Sequence, residues 1–180
     1  TKAKEGVEVR FMYDGFGCAA LLPRNYTEVL EKKGIQARCF SKIYPFLSTH
    51  YNNRDHRKII VVDGRCAFTG GINLCDEYIN AIEKYGHWKD DVVMVKGEAV
   101  KGFTLLFMQT WNSVAYKHGI DYESYLTTYP VEEKGYVIPY GDGPYQDESV
   151  AENVYLDILA NATEYVYIMT PYLILDHEME

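Results

Sequence analysis

Residues 58 to 69 read KIIVVDGRCAFT, two apolar runs hinged on Asp63-Gly64. An Asp-Gly pair accepts the left-handed backbone of a two-residue turn, and β-branched runs beside it favour extended chain. The pattern predicts an antiparallel hairpin, with Lys58 to Val62 as one arm and Arg65 to Thr69 as the other. An isolated hairpin is marginal in water, so its apolar face must pack against a further element.

The flanking segments offer both strands and helices. Thr1 to Gly6 reads as the last turn of a helix closed by glycine, and Val7 to Tyr13 as a strand with Val7, Val9 and Phe11 alternating. Tyr26 to Lys33 reads as a helix stopped by Gly34, and Ile35 to Phe40 as a strand. Strand, helix and strand in succession predict a parallel pair joined by a crossover, and hence an α/β fold. After the hairpin, Asp91 to Val95 is strand-like. A helix from Glu98 to Val114 brings Phe103, Leu106, Phe107, Thr110 and Trp111 to one face for core packing.

The turn-rich stretch YGDGPYQ, residues 140 to 146, marks a boundary. Beyond it Ser149 and Glu152 form a capping-box pattern for a helix whose Val154, Tyr155, Ile158, Leu159 and Ala162 share a face. Tyr165 to Met169 then reads as a strand running into Thr170-Pro171-Tyr172. A chain that opens on the end of a helix and closes on a newly begun unit is expected to be an internal piece of a longer protein.

Composition narrows the function. A hydrophobic content of 47% with 17 tyrosines excludes a disordered tail. The net charge of -8 argues against non-specific nucleic-acid binding, although it leaves room for a local basic site. The four cysteines, Cys18, Cys39, Cys66 and Cys75, form no C-x-x-C pair and are expected to be buried, reduced thiols, consistent with a cytoplasmic face. No metal or other cofactor is expected. Asn161-Ala162-Thr163 has the spacing of a glycosylation acceptor, a reading of little weight without a signal peptide. No run approaches the ~20 apolar residues needed to cross a bilayer.

The chemistry is concentrated between His56 and Asn73. On a strand, His56 and Lys58 project to the same face. A neutral imidazole can attack phosphorus while an adjacent ammonium offsets the charge building on the non-bridging oxygens. Asn73 can add a neutral donor, and Gly70 and Gly71 let the backbone approach closely. None of these groups requires a metal. H-x-K by itself is most often a pair of surface residues, and any hairpin would choose Asp-Gly. The further Asp63, Gly70, Gly71 and Asn73 at fixed offsets favour the functional reading. His87-Trp88-Lys89 is an internal control: seven residues after its histidine stands Met94 rather than aspartate, so it reads as a decoy.

Taken together, HRKIIVVDGRCAFTGGIN resembles the H-x-K-x-x-x-x-D motif and trailing G-G/S-x-N of the phospholipase D superfamily. The flanks GVEVRFMYD, FTGGINLCDEY, HWKDDVV and TPYLILD are similar to bacterial cardiolipin synthases, so the resemblance spans nearly the whole chain. It implies an α/β fold with a phospholipase D-like mixed sheet flanked by helices, incomplete at both ends. Residues 1–135 would be the C-terminal part of a first half and 136–180 the start of a second.

In that superfamily two motifs meet at one active site, one histidine acting as nucleophile and the other as general acid and then base. By resemblance His56 is the nucleophile, while Lys58, Asn73 and Gly71 hold phosphate oxygens. Asp63 belongs to the catalytic motif in a structural capacity, within its hairpin. Asp90 orients the histidine, with Asp91 as the alternative.

The implied reaction joins two phosphatidylglycerol molecules into cardiolipin and releases glycerol. The implied partners are phosphatidylglycerol, anionic membrane lipid and a second catalytic half of the same full-length chain, with no nucleic acid. The implied location is the bacterial cell membrane, on its cytoplasmic face. The chain departs from the family in lacking a second motif, since none of His50, His87, His118 or His177 begins one, and in lacking N-terminal membrane helices. The 180 residues alone are therefore expected to be inactive. The alternatives are another phospholipase D-type phosphodiesterase, either a lipid hydrolase or a nuclease, and a non-catalytic module. Tyr44-Pro45-Phe46 and Tyr172 read as packing residues rather than a lipid pocket.

Overall fold

A computed structural model describes residues 2–41, 54–84, 86–114, 121–127, 129–132, 134–143, 147–170 and 177. The expectations for Tyr44-Pro45-Phe46, His50, His118, Tyr172 and the TPYLILD segment beyond Thr170 fall outside these residues. The chain divides into two compact units, Thr1–Ile138 and Pro139–Glu180.

In the first unit β1 (Arg10–Asp14) and β2 (Gln36–Phe40) pair in parallel, with Arg10 opposite Gln36 and Asp14 opposite Phe40. Between them lie α1 (Gly15–Cys18) and α2 (Tyr26–Glu31), the latter packed on β2. The predicted hairpin forms as β3 (Ile59–Val62) and β4 (Cys66–Gly70), and β5 (Val92–Lys96) adds to the far side of β4. Asp63 and Gly64 both take positive φ, 53° and 64°, and Arg65 N donates to Val62 O at 2.9 Å, which closes the two-residue turn. The fold is thus mixed α/β. Among the described residues the parallel pair and the antiparallel strands form two sheets.

One helix serves both sheets. In α3 (Val100–Ser113) the buried face includes Val100, Phe103, Met108 and Trp111. Its first turns meet the row Val61, Ala67, Val95, one residue from each antiparallel strand, and Ala67 has no exposed surface. The small side chain at the centre of that row lets the helix approach closely. Near its end, Trp111 lies under the guanidinium groups of Arg38 (4.3 Å to the ring centre) and Arg10 (5.8 Å), the inward-facing cations of β2 and β1. Arg38 also donates to the Trp111 carbonyl, and Arg10 donates to Met108 Sδ at 3.4 Å and to the Tyr125 hydroxyl at 2.8 Å. Burial, and then the nearby Arg10 charge, lower the Arg38 pKa. The buried hydroxyls of Thr104 and Thr110 are satisfied one turn back, on the carbonyls of Val100 and Leu106, each at 3.0 Å.

The other face of the antiparallel sheet carries the row Ile60, Phe68, Met94, of which Ile60 and Met94 are about half exposed. None of the four cysteines is in a disulfide, and all are only partly buried, a departure from the buried thiols expected. No helix among the described residues is long and apolar enough to cross a membrane.

The second unit contains α4 (Val150–Asn161). The expected capping box does not close: the Ser149 side chain makes no cap bond, and the Asp142 carboxylate accepts from Ala151 N at 3.0 Å instead. Tyr155, Ile158 and Leu159, three members of the expected apolar face, are exposed. The Tyr165 and Tyr167 rings lie 5.0 Å apart, but residues 165–169 join no ladder among the described residues. A strand exists only with a partner to receive its hydrogen bonds, which a pattern of side chains cannot supply.

Because Trp111 is 1% exposed and joins the two sheets, Trp111→Ala should cost about 3–5 kcal/mol in urea denaturation. Tyr136→Ala, at a fully exposed residue, should change stability by less than about 0.5 kcal/mol. Similar losses from both would refute the placement of Trp111.

Candidate active site

The segment leading into β3 carries the motif and is held from two sides. Asp14, the last residue of β1 and the N-cap of α1, accepts from Gly17 N at 2.6 Å, from Arg54 Nε at 2.9 and 3.1 Å, and from Asp55 N at 3.0 Å. Arg54 also stacks on Phe16, its guanidinium 4.7 Å from the ring centre. On the other side Asp55 accepts from Arg57 N, Nε and Nη2 at 3.1, 2.9 and 3.0 Å. That Nη2 also donates to Thr110 Oγ1 of α3 at 2.6 Å. Residues 54, 55 and 57 are tied down, and His56 lies among them.

His56 and Lys58 are not on the strand as predicted, because the ladder starts at Ile59, opposite Thr69. The amides of Asp55 and Arg57 are taken by carboxylates rather than by a neighbouring strand. The two side chains are associated in another way: Lys58 Nζ donates to the His56 carbonyl at 2.7 Å. Although His56 is exposed, the chain around it desolvates the imidazole enough to lower its pKa. The Lys58 and Arg54 charges add to that effect, and Asp14 and Asp55 oppose it. A lowered pKa favours the neutral, nucleophilic imidazole near neutral pH. Burial also lowers the Lys58 pKa, against the pull of Asp55 and Asp90.

Asp90 stands against Gly71, where an added Cβ would come within 2.4 Å of Oδ1 and 2.9 Å of Oδ2. Its oxygens accept from Asp91 N at 2.8 Å and from Trp88 Nε1 at 3.3 Å. Trp88 is itself held by Asn80, through bonds of 2.6 and 2.9 Å, and by the Tyr78 ring at 4.5 Å. The decoy His87-Trp88-Lys89 therefore contributes to the site through its middle residue, whose indole supports Asp90. The charges acting on His56 are Lys58, Arg54, Asp14 and Asp55, whereas Asp90 acts on Lys58.

Asp63 sits in the turn at the far end of β3, a strand that alone spans roughly 10 Å. Asn73 lies beyond β4, half-buried, with its carbonyl accepting from Cys75 N at 3.0 Å. Gly71 N donates to Asp91 O at 3.3 Å, which ties the glycine pair to the approach of β5. Among the described residues no group of three or more His, Cys, Asp or Glu could hold a metal ion.

The sequence reading missed Asp14, Arg54, Asp55, Arg57, Thr110 and Trp88. The only signal was the alternating charge of Arg54-Asp55-His56-Arg57, whose partners lie 40 and 53 residues away.

The motif is similar to that of the phospholipase D superfamily. No protein-family model matches the chain, and no solved structure matches it. Curated proteins do match. An uncharacterized protein of Streptococcus mutans is 56% identical over 99% of this chain and 39% of its own length. Cardiolipin synthase of Alkalihalophilus pseudofirmus is 38% identical over 99% of this chain and 36% of its own. Cardiolipin synthase 2 of Staphylococcus epidermidis is 35% identical over 97% of this chain and 36% of its own. Over nearly its whole length the chain is similar to part of these proteins, and it spans little more than a third of the length of these relatives.

Gly71→Ala should destabilise the protein by about 1–3 kcal/mol, because Asp90 cannot retreat without breaking its Trp88 bond. Gly135→Ala, which meets nothing within 4 Å, should leave the urea midpoint unchanged or slightly raised. An unchanged midpoint for Gly71→Ala would contradict the packing of Asp90 on Gly71.

Proposed function

We propose that this chain carries the first of two catalytic halves of a cardiolipin synthase, residues 1–135 forming part of that half and 136–180 opening the second. The observation that carries the reading is the pairing of Lys58 Nζ with the His56 carbonyl in a chain homologous, over nearly its whole length, to proteins named cardiolipin synthase.

In this reading the His56 imidazole attacks the phosphorus of a phosphatidylglycerol. A phosphorus–nitrogen bond forms as the bond to the glycerol headgroup breaks, and the departing oxygen takes a proton from the histidine of the second half. The hydroxyl of another phosphatidylglycerol, deprotonated by that same group, then attacks phosphorus, giving cardiolipin and freeing His56. Lys58 and Asn73 offset charge on the non-bridging oxygens, Gly71 lets backbone approach them, and Asp90 orients the histidine. Asp63 contributes through the hairpin turn and touches no reacting atom. No cofactor takes part. The substrates are anionic lipids, and the site works at the cytoplasmic face of a bacterial membrane, where the remainder of the full-length protein provides attachment.

Full-length protein supplied with labelled phosphatidylglycerol should form cardiolipin and release glycerol, and His56→Ala should reduce the rate by about 10³-fold or more. Normal turnover by His56→Ala would end the assignment. Cleavage of single-stranded DNA in place of lipid transfer would point to a nuclease. Transfer by monomeric residues 1–180 alone would overturn the two-half reading.

A further inference from the structure

The histidine of this site is supported by a carboxylate from another strand. Asp14 uses both oxygens, holding Arg54 Nε and the amide of Asp55, the residue immediately before His56. It also caps α1 through Gly17 N, so the carboxylate is fixed from its own side as well. The side chain is only 10% exposed, whereas its partner Arg54 is 39% exposed. Space around the pair is tight: a Cβ on Gly17 would come within 2.9 Å of Arg54 Nη2 and 3.3 Å of Asp14 Oδ1. A Cβ on Gly15 would come within 2.7 Å of Cys39 Sγ and 2.8 Å of Ser41 O. The sequence Asp14-Gly15-Phe16-Gly17 therefore forms a seat that admits Arg54 and leaves little room for side chains at either glycine.

We infer that Asp14 is a positioning residue for His56, gripping the backbone just ahead of the histidine and placing a fixed negative charge in its surroundings. The role rests on the assignment of His56 as nucleophile. The charged groups that face the imidazole among the described residues are Lys58 and Arg54, which disfavour its protonation, and Asp14 and Asp55, which favour it. Asp14 and Arg54 thus form one clamp whose two ends act on His56 with opposite sign.

That opposition separates positioning from mere support. Both Asp14→Asn and Arg54→Gln remove the ion pair, so a purely structural role predicts similar damage from each. A role in the field at His56 predicts opposite shifts. Asp14→Asn removes a charge that raises the His56 pKa, and its acid limb of kcat/KM should move to lower pH. Arg54→Gln removes a charge that lowers the pKa, and its limb should move to higher pH. Asp14→Asn should also reduce transfer at neutral pH by about 10-fold or more, through loss of placement.

The test is lipid transfer by the full-length protein across the pH range, together with NMR titration of the His56 imidazole in the same variants. Opposite shifts support the inference. Shifts in the same direction, or none, overturn it. If Asp14→Asn fails to fold, Asp14→Glu, which keeps the charge and displaces the grip, decides alone: reduced transfer with the acid limb unmoved supports the inference, and unchanged transfer overturns it. A wild-type protein that makes no cardiolipin refutes the proposed function, and the NMR titration still decides the role of Asp14.

Discussion

The first unit is organised around the burial of Trp111 beneath two arginines. An indole face attracts a guanidinium, and the attraction is larger where water is excluded. Here the ring receives one cation from β1 and another from β2, and the Arg38 guanidinium also finds the Trp111 carbonyl. These contacts offset the cost of desolvating two like charges, which the lowered Arg38 pKa records. The parallel pair is thereby fixed to the end of α3, while the start of that helix lies on the antiparallel sheet. Two small sheets that share no strand acquire a common support.

That support reaches the site. Thr110, one residue before the central tryptophan, turns its hydroxyl to Arg57, and Asp14 at the end of β1 takes the other side of the same segment. One anchor comes from α3 and the other from β1. Regular strand structure would have satisfied the amides around His56 with a neighbouring backbone and left the imidazole in an uncharged setting. Carboxylates satisfy them instead, and charged groups stand close to the histidine as a result.

How much of this was legible follows from how far apart the interacting residues are. The hairpin was readable because Asp63-Gly64 and its flanking runs are contiguous, and the parallel pair because strand, helix and strand alternate over a short span. The helix α3 announced itself through its period. The clamp on His56 did not, since Asp14 and Thr110 are far off in sequence, Asp14 standing only as the last residue of the flank GVEVRFMYD. The cap of α4 was misread for a related reason: Ser149 had the right identity, but Asp142 arrives first from the preceding turn. The grouping of Lys58, Gly71 and Asp90 was half readable, as separate candidates whose mutual arrangement only the fold supplies.

The position of Asp63 bears on why the motif has a fixed spacing. Its side chain stands at the turn, away from His56, so the interval between them measures the length of one hairpin arm. Neighbouring side chains along such an arm point to opposite faces. Removing one residue from the arm would carry Ile59 and Val61 off the helix-facing side and put Ile60 and Val62 in their place. The interval therefore tolerates exchange of one apolar residue for another but no change of count, and asparagine or glycine could take the left-handed position now held by Asp63. In this protein the spacing that looks like a chemical signature is a constraint on chain length.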